Sequence, residues 1–205
     1  MKTDSEALFE QFLHKNAINF ELILRTNENK TPDYLVTLNG CTIAVEVTTI
    51  KSAADRDSLA VYSKTVGEQI RREIAGKSKQ LRWAIERNLP TLLLLFEGSR
   101  VGYPWFLEEH DFTDAMYGVK TLQIDRNTRR SGPMHNGREA QLRPDANREH
   151  ISALGRIQLS NANNIACKIF PNIYATRPIE TTAWPSAFNV AKFELEYIDV
   201  TPPVT

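Results

Sequence analysis

Cysteine is nearly missing from this chain of 205 residues, which carries only Cys41 and Cys167. Two distant cysteines make neither a disulfide framework nor a zinc site of the usual spacing, so a reducing compartment is the default expectation. Long apolar runs are missing too. The longest, Leu92 to Phe96, falls far short of the roughly 20 residues that cross a bilayer. The opening stretch MKTDSEALFEQ lacks the apolar segment of a signal peptide. A cytoplasmic protein with no membrane partner is expected. Excess charge is absent as well, since 25 Lys and Arg balance 25 Asp and Glu. Whole-molecule attraction to nucleic acid is thereby excluded, and any such contact must come from local patches. There is no internal repeat, heptad, low-complexity tract, P-loop or Gly-x-Ser-x-Gly. Solenoids, coiled coils and two large enzyme classes fall away with them.

What remains is ordinary for a globular chain, with 41% apolar and 24% charged residues. The length suits a single domain, 1–205, able to bury a core without staples. The informative stretch is 31–48, TPDYLVTLNGCTIAVEVT. Asn39-Gly40 is a strong hairpin signal, because a type I′ turn needs positive φ at both central residues. With that two-residue loop Tyr34 faces Val45 and Val36 faces Ile43, which makes an apolar face. Asp33 then falls opposite Glu46, at roughly 4.5–5.5 Å between Cβ atoms. Two like charges that close need compensation, and a divalent cation with oxygen ligands is the natural candidate.

Pro32-Asp33, twelve residues, then Glu46-Val47-Thr48 resembles the signature of the PD-(D/E)XK nuclease superfamily. Thr48 stands where the family usually has lysine. The resemblance implies a restriction-endonuclease-like α/β fold, a mixed central β-sheet flanked by helices. It also implies Mg²⁺ or Mn²⁺ bound by Asp33 and Glu46, with the Val47 carbonyl as a backbone ligand. SEALFEQFL followed by INFEL resembles the opening of family members in which a helix glutamate supports the metal site. That points to Glu6, with Glu10 as the substitute. KSKQL resembles a Lys-x-x-Gln on the helix after the hairpin, which assigns Lys77 and Gln80 to the active site.

Taken in order, Ser5 or Asp4 can cap a first helix with Leu8, Phe9, Phe12 and Leu13 as its apolar stripe. Ile18 to Leu24 reads as a strand, and 27–30 as a turn into the hairpin. A helical stretch from about Ser58 to Asn88, with possible breaks at Gly67 and Gly76, carries Ile70, Ile74, Leu81 and Ile85 at helical spacing. Lys77 stands inside that stripe. It either reaches an inward carboxylate, because burying an unpaired ammonium is costly, or snorkels to solvent at the edge. Lys79 points elsewhere. Pro90 ends the helix, and Thr91 to Phe96 reads as a strand buried on both faces. A short helix around Trp105 to Met116 and strands at 119–124, 151–159, 165–170 and 192–200 complete the reading.

Residues 125–150 read as a long loop with Arg126, Arg129, Arg130, Arg138, Arg143 and Arg148. Arginine suits bidentate phosphate contact, so Arg126, Arg129, Arg130 and Arg138 are the candidate nucleic-acid contacts of a mobile, substrate-facing flap. His135 and His150 lack the company that metal ligands need.

The sequence thus points to a metal-dependent nuclease, a hydrolase of DNA phosphodiester bonds. Asp33 and Glu46 would bind metal. Lys77 would stabilise charge, Glu6 and Gln80 would orient water, and Thr48 would offer a hydrogen bond but no charge. The alternative is a nuclease fold without catalysis that binds nucleic acid or a protein partner, for which Thr48 is the argument. A homodimer is compatible with either.

Overall fold

Asn39 and Gly40 take φ of 42° and 87°, the two positive values a type I′ turn requires. The computed structural model describes residues 2–24, 30–50, 65–97, 107–136, 139–159 and 164–192. On either side of the turn run β2 (Tyr34–Leu38) and β3 (Cys41–Ile50), paired antiparallel with Tyr34↔Val45, Val36↔Ile43 and Leu38↔Cys41. The strand β1 (Asn19–Leu22) adds to the outer edge of β2, shorter than the 18–24 span expected. On the inner side β4 (Thr91–Glu97) lies parallel to β3, followed by β7 (Ala153–Leu159), β8 (Ile165–Pro171) and β9 (Phe188–Val190). The result is an α/β arrangement with a mixed seven-stranded sheet, ordered β1-β2-β3-β4-β7-β8-β9.

Each face of the sheet has its own core. Ile43, Val45 and Val47 of β3, with Leu92 and Leu94 of β4, pack against Phe9, Phe12 and Leu13 of α1 (Asp4–Lys15). Leu93 and Leu95 point the other way, against Ile70, Ile74 and Leu81 of α2 (Glu68–Leu81) and Phe112, Ala115 and Met116 of α3 (Glu109–Tyr117). The four leucines of β4 are buried on both faces, as an uninterrupted apolar run demands. Among the described residues no helix is long and apolar enough to cross a membrane.

Several boundaries differ from the sequence reading. Thr3, not Ser5 or Asp4, caps α1, and Glu6 completes the capping box. Gly76 does not break α2; nothing lies within 4 Å of a Cβ placed there. The helix does change at Leu81, where a 3₁₀ segment (Arg82–Arg87) begins. At three residues per turn the stripe rotates away, so Ala84 is buried and Ile85 is 40% exposed. Asn88 in the left-handed region (φ 56°), rather than Pro90, ends that segment. The last expected strand lies outside the described residues beyond Lys192, whereas β9 was not anticipated.

The largest correction concerns 125–150. That stretch is not all loop, because β5 (Lys120–Ile124) and β6 (Ser131–Asn136) form a separate two-stranded antiparallel sheet. Pro and Gly in SGPMHN disguise the second strand.

Two glycines with positive φ make different demands. Nothing lies within 4 Å of a Cβ on Gly40, whereas one on Gly67 would meet the Asp111 carbonyl oxygen at 2.9 Å and the Ala115 nitrogen at 3.0 Å. Gly40→Ala should cost about 1–2 kcal/mol from its left-handed conformation alone. Gly67→Ala should cost more, since the start of α2 must also back away from α3. Urea denaturation of both variants checks the order, and equal losses would show that the close approach does not hold α2.

Candidate functional site

Asp33 lies where β2 is about to begin, and Pro32 beside it has no N–H to continue the ladder. Pairing accordingly stops at Tyr34↔Val45. Asp33 is therefore not a ladder partner of Glu46, as strict register would make it. Its N–H donates to the Val45 carbonyl at 3.0 Å, and its own carbonyl accepts from Ile23 N–H at 2.9 Å. Its side chain serves β3 as an acceptor instead, with Oδ2 accepting the Val47 N–H at 2.9 Å. The carboxylate is thus held against the peptide that follows Glu46, and the residue is 4% exposed.

Glu46 occupies the middle of β3 and is fully buried. Alternation along the strand puts Val45 and Val47 toward α1 and Glu46 and Thr48 toward α2. Two side chains of α2 meet the Glu46 carboxylate. Lys77 Nζ lies 2.8 Å from Oε1, and Gln80 Nε2 donates to the same oxygen at 3.0 Å. A buried carboxylate needs such donors, because an uncompensated buried charge is far more costly than a paired one. Lys77 is one-quarter exposed along its side chain, so the ammonium bridges the buried acid and the solvent. Lys79 is exposed and takes no part.

Thr48 donates its hydroxyl to Glu73 Oε2 at 3.1 Å. Glu73 escaped the sequence reading. Its spacing to Lys77 is the i,i+4 arrangement of an ordinary surface ion pair, which hid the fact that both face β3. The usable signal was helical periodicity, since 73, 77 and 80 share one stripe.

Glu6 is engaged at its own helix terminus, where Oε2 accepts the Thr3 N–H at 2.7 Å. Glu10 is the glutamate that reaches the hairpin, accepting the Tyr34 hydroxyl at 2.9 Å and pairing with Lys2. Burial, then the Glu10 hydrogen bond, raises the Tyr34 phenol far above its usual value, so it keeps the proton it donates to Glu10. The chain of contacts from α1 to the residue beside Asp33 runs through Glu10 and Tyr34.

The arginines divide. Arg126, Arg129 and Arg130 are exposed at the turn between β5 and β6. Arg138 lies outside the described residues. Arg148 donates to Gln141 at 2.5 Å, and Arg143 pairs with Asp145 at 3.7 Å.

The chain matches no protein-family model, no curated protein and no solved structure. The site must therefore be read from its own chemistry. Among the described residues no three His, Cys, Asp or Glu side chains cluster as a cage for a metal ion. Asp33 nevertheless holds a carboxylate on the N–H of the peptide that follows Glu46. Hard oxygen donors of that kind suit Mg²⁺, which takes one or two carboxylates and keeps several waters. His150 lies behind α2 with Nε2 3.1 Å from both the hydroxyl and carbonyl oxygens of Ser78. Its carbonyl accepts the Thr91 hydroxyl at 2.6 Å, so it ties α2 to β4.

Burial holds the His150 imidazole below its ordinary value, with Arg82 and Arg148 adding to the effect and the Ser78 hydrogen bond opposing it. A histidine depressed on folding favours the neutral native form. The stability it contributes is complete above the unfolded value of about 6.5 and is lost as pH falls below it. Urea midpoints between about pH 7 and 5 should therefore fall more steeply for the native sequence than for His150→Gln. Parallel curves would mean that this imidazole does not couple α2 to pH.

Proposed function

We propose that Asp33, Glu46, Lys77 and Gln80 form the centre of a metal-dependent phosphodiesterase of the restriction-endonuclease-like, PD-(D/E)XK type, acting on DNA. One observation carries this reading. Lys77 and Gln80, from the helix that follows the hairpin, converge on one oxygen of a fully buried glutamate. A lysine held on the buried glutamate supplies the charge the motif calls for, even though it arrives here from a helix instead of from position 48. The mixed sheet, with the hairpin leading into parallel β3 and β4 and helices on both faces, agrees with that fold.

Asp33, Glu46 and the Val47 carbonyl would hold Mg²⁺ or Mn²⁺. Such an ion lowers the pKa of a bound water and stabilises charge on a scissile phosphate. The remaining tasks belong to the chain. Glu46 fixes the Lys77 ammonium, which faces the developing oxyanion as a preorganised positive charge. Gln80 holds the Glu46 carboxylate in one rotamer through its amide and orients water beside it. Asp33 is fixed by the Val47 N–H, so its geometry does not depend on a bound ion. Glu10, through Tyr34, supports the segment that carries Asp33, a role the sequence reading assigned first to Glu6.

A second reading has its own observation. Thr48 is satisfied by Glu73 and brings no charge, which suits a module that keeps the fold and has given up cleavage, binding nucleic acid or a protein partner. Mn²⁺ titration calorimetry, with cleavage of plasmid and single-stranded DNA, separates the two. Wild type should bind Mn²⁺ and cleave, and Asp33→Ala should do neither. Lys77→Ala should lower turnover about 10²–10³-fold with metal binding nearly intact, while Lys79→Ala behaves as wild type. Thr48→Lys should be accepted, because Glu73 stands ready as its counter-ion. Inertness of the wild type toward every nucleic acid, with either metal, would favour the binding module.

A further inference from the structure

The β5–β6 hairpin pairs with no strand of the seven-stranded sheet, and the described side chains of β5 are exposed. Thr121 and Leu122 point to opposite faces and both are exposed, as is Ile124. A two-stranded ribbon of this kind is marginal in water on its own. Its composition departs from that of the chain. Between Val119 and Asn136 stand Lys120, Arg126, Arg129 and Arg130 against Asp125 alone, a formal excess of three positive charges in a chain whose net charge is zero.

The turn is built to present those charges. Asp125 Oδ1 accepts the N–H groups of Asn127 at 2.8 Å and Thr128 at 2.7 Å. The Asp125 carbonyl accepts the Arg129 N–H at 2.8 Å, and the Asp125 N–H donates to the Arg130 carbonyl at 3.0 Å. The one acid is therefore occupied with backbone, and among the described residues Arg126, Arg129 and Arg130 form no ion pair. The root of the ribbon is fixed to the site's own helix. Glu139, just beyond β6, pairs with buried Arg71 of α2 at 3.1 Å. Arg71 lies six residues before Lys77, about 9 Å along the axis at the rise of an α-helix.

We propose that the β5–β6 ribbon is a duplex-DNA arm that enters the major groove, its turn arginines on phosphates and Leu122 and Ile124 against base edges. The shape and charge select this occupant. The major groove of B-form DNA is about 12 Å wide and admits a two-stranded ribbon. The deep, narrow major groove of A-form RNA does not. Exposed aliphatic side chains suit the thymine methyl group. This assignment deepens the proposed nuclease reading by naming its substrate form.

Fluorescence anisotropy with a labelled 20-base-pair DNA duplex in EDTA tests the arm without cleavage. Replacing Arg126→Gln, Arg129→Gln and Arg130→Gln together should weaken binding roughly 10- to 100-fold at about 0.1 M salt. The salt slope should shrink by about 0.9 for each phosphate that the variant no longer neutralises. Leu122→Thr with Ile124→Thr keeps strand propensity and should weaken duplex binding without changing the slope. Duplex RNA and single-stranded DNA of the same length should bind more weakly than duplex DNA. Thermal melts of the variants show that each is folded. Unchanged affinity and slope in the arginine triple variant, or equal affinity for duplex RNA, would overturn the arm. A wild type that binds no nucleic acid would also overturn it, leaving a protein partner for the ribbon. Lys79→Ala, exposed and outside both the centre and the ribbon, should bind duplex as wild type does, and cleavage is read separately in Mn²⁺. An arm that binds beside an inert centre and a centre that cleaves without the arm are thus distinct results.

Discussion

A carboxylate with no exposure to water, in the middle of a sheet, governs where α2 can sit. Glu46 must find donors on the face it points to, and α2 supplies them. The helix therefore carries two inward stripes. Ile70, Ile74 and Leu81 fill the apolar core with α3, while Glu73, Lys77 and Gln80 meet the polar side of β3. Shifting the helix by one residue would break both sets of contacts. Stability alone does not ask for this. A buried ion pair replaced by apolar groups of similar volume is often as stable or more so, and the proposed reading gives Glu46 and Lys77 a chemical task instead.

The features legible in the sequence were those where one local rule had no competitor. Asn39-Gly40 and the alternation around it set the hairpin register, because a slip of one residue would expose Tyr34, Val36 and Val45. The run of leucines in β4 left no solvent face to choose. Lys77 was visible as an interruption in an apolar stripe. Illegible features were those where two rules compete. Glu73 looked like half of a surface pair. Asp33 fitted the ladder by counting, yet Pro32 has no N–H to extend the ladder, and the Asp33 side chain turns to accept the Val47 N–H. Ile85 kept helical spacing on paper, but the turn tightened to 3₁₀ before it. In the 125–150 stretch, glycine and proline masked a strand that is paired at an edge, where proline is tolerated.

In the proposed reading, the positive charge of the centre comes from the helix and not from position 48. Threonine on β3 is uncharged, and its hydroxyl turns to Glu73. The ammonium comes instead from one turn further along α2, where Lys77 follows Glu73 by four residues. The two acids on the two elements are then each matched by a donor from the other, Thr48 to Glu73 and Lys77 to Glu46. The pattern is reciprocal, so both pairings contribute to the docking of helix on strand.

Charge distribution links the centre to the ribbon. Asp33, Glu46 and Glu73 against Lys77 leave the centre formally two negative charges in excess. A phosphodiester would be repelled by that set, and the repulsion is strongest where water is least able to screen it. In the proposed reading two features offset it. A divalent cation neutralises the carboxylates where the phosphate must lie, and the ribbon holds three arginines where the flanking backbone passes. The zero net charge of the chain therefore conceals a separation, acidic at the centre and basic on the arm. With screening over about 8–10 Å at ordinary ionic strength, each region acts on its own part of a duplex, so overall charge says little about what this protein holds.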